Sequence, residues 1–422
     1  MNCKQHNNSL LKEASTLLSG NVLAQVITLG AYFILTRIFS AEDYGLYTIF
    51  YSYIEVLIIL STCKYELAIV AADTDNEAHD VARLTLRINT IVSLLLLTLC
   101  LILWLTDTLP GNFAQLGWMV LLIPPMVFFC GSSRVYSFLF NRAHGYGTMA
   151  LSETVNAAAG TVIKILLGLL GILQAGMPIG TVAGRAIANL VYRLKSLDIS
   201  AHHTSHSALR TVAHKHRNFP LYVGTKDFII SLSSNLPFLW LALYFERAEI
   251  GLFGLALTFT FRPVNLLSVA FEQVLYARIV EYVRARRSIG RTIWRFLLIL
   301  NAIALPFFVL AWFFAEPVFA FCFGGRWSGC GIYVRALLPW IYVVLSSMSL
   351  MFISNVFSTQ RTEFFFYLVL LGLRIAALAI GIHAGDFLLA IRLYAAAGTL
   401  IMASLLIWYL WQVRRYERTL KA

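Results

Sequence analysis

Apolar residues in this chain do not alternate with polar ones. They run almost unbroken for about 18–27 residues at a time, between short polar breaks. A run of about 20 such residues crosses a hydrocarbon core as one helix. An outer-membrane barrel would alternate in segments of about 10 residues. Twelve runs are predicted as spans: Thr16–Phe39, Tyr44–Cys63, Ile88–Leu105, Phe113–Ser133, Met149–Leu173, Gly176–Val191, Phe219–Tyr244, Ile250–Tyr276, Phe296–Ala315, Ala336–Val356, Phe364–Ile382 and Phe387–Val413. The fold class expected is an all-α polytopic membrane protein.

The longest polar gap, Tyr192 to Asn218, splits the spans six and six. Two domains are therefore expected, residues 1–200 and 201–422, each a six-helix bundle. A sequence echo supports the split. Asp43-Tyr44-Gly45-Leu46-Tyr47 follows the first span and Glu249-Ile250-Gly251-Leu252-Phe253 follows the seventh, about half the chain apart. Spans one and seven run in the same direction, so the repeat is parallel, about an axis along the membrane normal. Such halves commonly hold a central substrate cavity.

Composition agrees with this reading: 59% of residues are hydrophobic, 13% are charged, and mean hydropathy is +0.74. Those figures exclude a disordered chain. A soluble enzyme on an anchor is excluded because the apolar runs cover the whole length. The net charge of +12 is topological rather than a sign of nucleic acid. Lys and Arg concentrate about fourfold in alternate loops, which places those loops and both termini in the cytoplasm. The polar start, Met1 to Ser15, lacks the layout of a cleaved signal peptide. Of six cysteines none forms a CxxC pair. Cys322 and Cys330 share an outward loop and are open to either a disulfide or two thiols.

The informative residues are charges inside the spans, because an ionised side chain at the bilayer centre costs about 2.5–3.5 kcal/mol. The cations are Lys164, Arg185, Lys226, Arg262 and Arg374. The acids are Glu55, Glu153, Asp227 and Glu272. Pairing between helices is the plain structural alternative to a lined cavity. Glu153 and Lys164 share a helix face but lie ~16 Å apart, too far to pair with each other, which suits a lined cavity. Outer-edge Arg37 and Arg392 tilt the balance towards positive. Guanidinium forks match phosphate oxygens, so the expected substrate is anionic, such as a diphosphate head group.

Other patterns carry less. Asp73-Thr74-Asp75 has the form of a metal–nucleotide DxD motif, but it sits in an acidic loop with Glu77 and Asp80. His202, His203, His206, His214 and His216 crowd one polar gap that reads as a flexible solvated loop. Six arginines between Arg278 and Arg295 suit an inside loop against anionic lipid. No phosphate-binding P-loop and no H-E-x-x-H occurs. No metal site, catalytic residue or bound cofactor is expected.

Several stretches resemble the bacterial polysaccharide transporters of the multidrug/oligosaccharidyl-lipid/polysaccharide exporter superfamily, and Wzx-type O-antigen flippases in particular. They are Leu18-Ser19-Gly20-Asn21 with Ala24-Gln25, Leu35-Thr36-Arg37-Ile38-Phe39, Glu42-Asp43-Tyr44-Gly45, Lys64-Tyr65-Glu66-Leu67-Ala68-Ile69, Arg217-Asn218-Phe219-Pro220 and Gly324-Gly325-Arg326-Trp327. The resemblance implies a flippase of the bacterial inner membrane. It would carry undecaprenyl-diphosphate-linked oligosaccharide units, as in lipopolysaccharide biosynthesis, to the outer leaflet by alternating access. A polysaccharide polymerase and a chain-length regulator would be partners, besides membrane lipids. On this reading Arg37, Lys164, Arg185, Arg262 and Arg374 are candidates for head-group binding. Glu55, Glu66, Glu153 and Asp227 are candidates for proton or sodium coupling or for gating. The alternatives are a multidrug or toxin cation antiporter of the same superfamily, and a membrane glycosyltransferase or polymerase using Asp73 and Asp75.

Overall fold

A computed structural model describes residues 20, 22–195 and 206–421. Cys3, His202, His203, the start of the first span and the boundary expected at 200/201 lie outside the described residues. Among the described residues every regular element is helical. In order they are α1 Val22–Ile38, α2 Ala41–Thr62, α3 Glu66–Ala71, α4 Asp75–Leu105, α5 Asn112–Arg142, α6 Tyr146–Leu169, α7 Leu173–Lys195 and α8 His206–Lys215. Then come α9 Thr225–Trp240, α10 Arg247–Arg284, α11 Gly290–Phe323, α12 Cys330–Val356, α13 Gln360–Ala384 and α14 Phe387–Lys421. Nine of these are long and apolar enough to cross a membrane. Helices α1, α7 and α9, with the π-turn Phe219–Gly224 ahead of α9, stand where the sequence predicts the other three spans. The protein is a multi-pass membrane protein.

The polar gap is the main departure from expectation. It holds α8, an amphipathic helix whose Leu209 and Val212 are buried, with Val212 in one apolar cluster with Ala78, Val81, Ala82 and Val135. Its residues His214 and Lys215 are thus part of an ordered helix rather than of a flexible loop. The thiols of Cys322 and Cys330 are both free.

The chain divides into two compact units, 1–235 and 236–422. Residues 206–235 hold to the first: Tyr65 Oη donates to Ala213 O at 3.1 Å, and Ser231 Oγ donates to Glu55 O at 2.8 Å. In each unit one helix is enclosed by the others. The apolar stretches of α2 and α12 are both 67% buried, against 17% for α4 and 11% for α11. The outer helices expose Leu95, Leu105, Leu298, Phe307, Phe313 and Phe321, an apolar belt suited to lipid.

Hydrophobic burial does not distinguish a neighbouring helix from lipid, so packing and polar pairing set helix register in a membrane. Asn89 on α4 donates to Phe128 O at 2.9 Å and Ser132 Oγ at 3.2 Å on α5. Asn301 on α11 donates to Ser346 Oγ at 3.1 Å on α12. The same Asn-to-Ser bond thus joins the third and fourth spans of each half. Asn189 on α7 donates to Phe129 O and Ser133 Oγ, at 2.6 and 2.7 Å. The residues of the sequence echo are also equivalent in place: Tyr44, Leu46, Ile250 and Phe253 are buried at the starts of α2 and α10.

Caps close the helix ends. Ser40 and Asp43 form a reciprocal capping box on α2. Glu417 on α14 accepts from Ile289 N and Gly290 N at the start of α11, at 2.7 and 2.8 Å. Helices α6 and α7 cross closely. A Cβ built on Gly184 would lie 2.7 Å from Gly160 Cα. Overpacking typically costs about 1–3 kcal/mol. Gly184→Ala is therefore expected to lower the thermal midpoint of the purified protein. Gly372→Ala, with nothing within 4 Å of the added carbon, is expected to leave it unchanged or slightly raised. Equal midpoints for the two variants would contradict this packing.

Candidate functional site

The close crossing of α6 on α7 positions the charges of the first unit. Gly180 lacks a side chain where Lys164 passes; a Cβ there would lie 2.5 Å from Lys164 Cγ. Lys164 is thereby turned towards α2, its Nζ 5.1 Å from the Tyr47 ring centroid. Thr181 Oγ1, whose proton goes to Met177 O at 2.9 Å, lies 3.4 Å from Tyr47 Oη. The Tyr47 and Tyr51 rings are 6.0 Å apart. One turn beyond Thr181, Arg185 pairs with Glu153 at 2.8 Å. Cys130 lies within electrostatic range of Arg134, Arg185, Glu55 and Glu153. One polar string, Lys164–Tyr47–Tyr51 with Arg185–Glu153, therefore runs through this unit, with Tyr47 buried and the other four half-buried.

The string alters one expectation. In sequence Glu153 is a separated charge on the Lys164 face; the structure gives it Arg185 on the neighbouring helix. The reason is the Gly160–Gly184 crossing, which brings the two helices close enough for the side chains to meet. Tyr47 and Tyr51 carry no charge and do not stand out in the sequence. Their spacing of four residues puts both on one helix face. Chemically the string offers a primary amine, a guanidinium and two aromatic faces. The cations suit phosphate oxygens and the rings suit the flat faces of sugars.

Glu66, at the start of α3, is 1% exposed. Arg134 approaches it at 3.8 Å. Its other carboxylate oxygen is buried without a hydrogen-bond partner among the described residues. Nearby, Cys63 and Lys64 take left-handed backbone angles, φ 48° and 58°, and end α2. Two successive non-glycine residues in that region store strain of roughly 1–3 kcal/mol each. The turn aims Lys64 at Asp227 on α9, 2.8 Å away. Lys226 is half-buried beside it and Arg37 is exposed on α1.

The acidic segment is absorbed by structure. Asp73 pairs with Lys215 at 2.7 Å and Asp75 with Arg142 at 2.9 Å. Glu77 pairs with Lys215 at 2.6 Å and with His216 at 2.8 Å. Arg142 also donates to Ile69 O and Ala72 O. The Lys215 and His216 contacts fasten α8 to the start of α4, and those of Arg142 fasten the end of α5 there. Each aspartate of the DxD-like pair thus has a cationic partner, Lys215 or Arg142, while its side chain stays largely exposed. The carboxylates of Asp73 and Glu77 hold the Lys215 ammonium above its ordinary pKa. A raised folded value favours docking below the free lysine pKa and is lost as pH climbs through the folded one. Lys215→Met is expected to speed hydrogen exchange of residues 208–216 several-fold at neutral pH, read by mass spectrometry; unchanged exchange would show that the apolar face alone fastens α8.

In the second unit Arg374 is 2% exposed. Its guanidinium lies 4.8 Å from the Trp340 ring centroid and 4.0 Å from that of Tyr394, a cation–π sandwich. In this state it is enclosed. Arg262 is half-buried on α10, next to Pro263, and Glu272 is half-buried three turns further on. Of the nine candidate site residues, Glu55, Glu153, Lys164 and Arg185 are brought into one region of the first unit. Glu66 and Asp227 sit in ion pairs at the end of α2. Arg262 and Arg374 belong to the second unit.

A family model for polysaccharide biosynthesis proteins matches residues 34–331. The chain belongs to that family. No curated protein sequence matches it significantly. Solved structures resemble it over nearly the full length. An inward-facing multidrug resistance MATE family transporter of the MOP superfamily aligns with a TM-score of 0.70 at 14% identity, over 94% of this chain and 96% of that one. Lipid II flippase MurJ, in an inward closed conformation, aligns with a TM-score of 0.74 at 12% identity, over 96% and 91%. A MOP superfamily transporter from Pyrococcus furiosus aligns with a TM-score of 0.63 at 13% identity, over 96% of each chain. The fold is that of the MOP superfamily.

If Lys64–Asp227 is a latch, Asp227→Asn should open the segment around it. Labelling of the native Cys63 thiol by a membrane-permeant maleimide is then expected to rise several-fold over wild type. Equal labelling would assign the pair to packing alone.

Proposed function

We propose that this protein is a flippase for undecaprenyl-diphosphate-linked oligosaccharide units, serving assembly of O-antigen or another surface polysaccharide in a bacterial cytoplasmic membrane. The observation that carries the reading is the polar string of the first unit in a chain of the polysaccharide biosynthesis family. Lys164 and Arg185 supply cations for the diphosphate, and Tyr47 and Tyr51 supply ring faces for the sugars. Arg185 reaches the substrate by exchanging Glu153 for phosphate oxygens, so the ion pair keeps the guanidinium neutralised while the site is empty. That exchange limits the cost of holding a charge at lipid depth.

Alternating access exposes the site to each face of the membrane in turn. Lys64–Asp227 serves as a latch at the cytoplasmic end. Glu66, buried with one oxygen lacking a hydrogen-bond partner, is the group best placed to carry a coupling proton, with Glu55 and Glu153 nearer the string. Both termini are cytoplasmic, and a polymerase and chain-length regulator act on the delivered units. A cation exporter would instead need open carboxylates at the string, where Glu153 is already paired.

The test is complementation of a strain deleted for this gene. Lys164→Ala and Arg185→Ala are expected to lower surface polysaccharide by about tenfold or more, a change of roughly 1.4 kcal/mol in transition-state binding. Lipid-linked units should accumulate on the inner leaflet, and membrane levels of the protein should match wild type. Lys164→Arg should restore most of the loss. Normal surface polysaccharide in both alanine variants would exclude the assignment.

A further inference from the structure

The second unit contains a groove of about 1010 Å³ where α11 ends and α12 and α14 begin. Trp312, Ile332, Leu388 and Leu400 form its apolar wall, and Glu316, Arg335 and Arg392 are its charged groups. Those three lie five to seven residues in from their helix ends. At 1.5 Å per residue that is about 8–11 Å from the end, near the boundary between head groups and acyl chains.

The charges do not balance. Glu316 pairs with Arg335, yet Arg335 Nε is buried without a hydrogen-bond partner among the described residues. Arg392 is exposed on the groove side and has no ion pair among the described residues. Asp386, on the same end of α14, caps its own helix through Leu389 N at 2.9 Å. The groove therefore carries one uncompensated positive charge beside an apolar wall. Its uncharged polar groups are the Trp312 indole N–H and the Thr399 hydroxyl, whose proton goes to Ala395 O. A mostly apolar lining with a net positive charge fits a diacyl lipid with an anionic head.

We infer that the groove binds an anionic diacyl phospholipid, its phosphate against Arg392 and Arg335 and its acyl chains along Trp312, Ile332, Leu388 and Leu400. The site shares no residue with the polar string and is independent of the flippase reading. A basic residue near a membrane surface contributes about 1 kcal/mol to anionic lipid binding, which is a factor of about five in affinity.

Native mass spectrometry of the purified full-length protein tests this without any transport step. Dioleoyl-phosphatidylglycerol and dioleoyl-phosphatidylcholine are titrated separately. Wild type is expected to bind the glycerol lipid preferentially. Arg392→Gln should weaken that binding about fivefold and leave the choline lipid unchanged. The double variant Glu316→Gln/Arg335→Gln, which strands no carboxylate, should weaken it further when added to Arg392→Gln. Equal affinity of wild type for the two lipids would overturn the proposal, as would wild-type preference in Arg392→Gln. Displacement of phosphatidylglycerol by equimolar undecaprenyl phosphate would also overturn it, by giving the groove to a prenyl lipid.

Discussion

Polar side chains that have no water to turn to hold this molecule together. Leucine gains little by leaving lipid for a neighbouring helix, so apolar area cannot choose one helix register over another. Asn89 with Ser132 and Asn301 with Ser346 make that choice in the two units. Each bond is modest, about 0.6 kcal/mol on average in comparable proteins. Its value is specificity, because a slipped register leaves an amide buried in hydrocarbon.

The same constraint organises the functional groups. Guanidinium and carboxylate groups at lipid depth persist where something meets their charge. Arg185 has Glu153, and Arg374 has two aromatic rings. These are different solutions with different consequences. A carboxylate can be exchanged for a substrate phosphate, whereas a ring sandwich encloses its cation. That contrast separates the two arginines, which look alike in the sequence.

The helices were legible because about 20 apolar residues in a row have one favourable arrangement in a bilayer. The echo was legible too: Tyr44 and Ile250 are each buried at the start of their helix. The Asn89 and Asn301 correspondence was not, since single polar residues in unaligned helices give no periodic signal. Helix α8 was hidden because its apolar positions are few and its five neighbouring histidines read as solvated chain. The intramembrane charges were legible as a set. Their partners were not, because pairing depends on how closely two helices approach. Gly160 and Gly184 set that approach, and a glycine in a helix does not announce which neighbour it faces. Tyr47 and Tyr51 give no signal in the sequence because aromatic residues are common throughout these spans.

The Gly160–Gly184 contact joins helices linked by a turn of only a few residues. Contacts that are near in sequence close with little loss of chain entropy and form early. The α6–α7 hairpin can therefore associate as soon as both helices have left the insertion machinery, before any later span exists. The first element of the polar string, with Arg185 already neutralised by Glu153, would enter the bilayer as a preassembled unit.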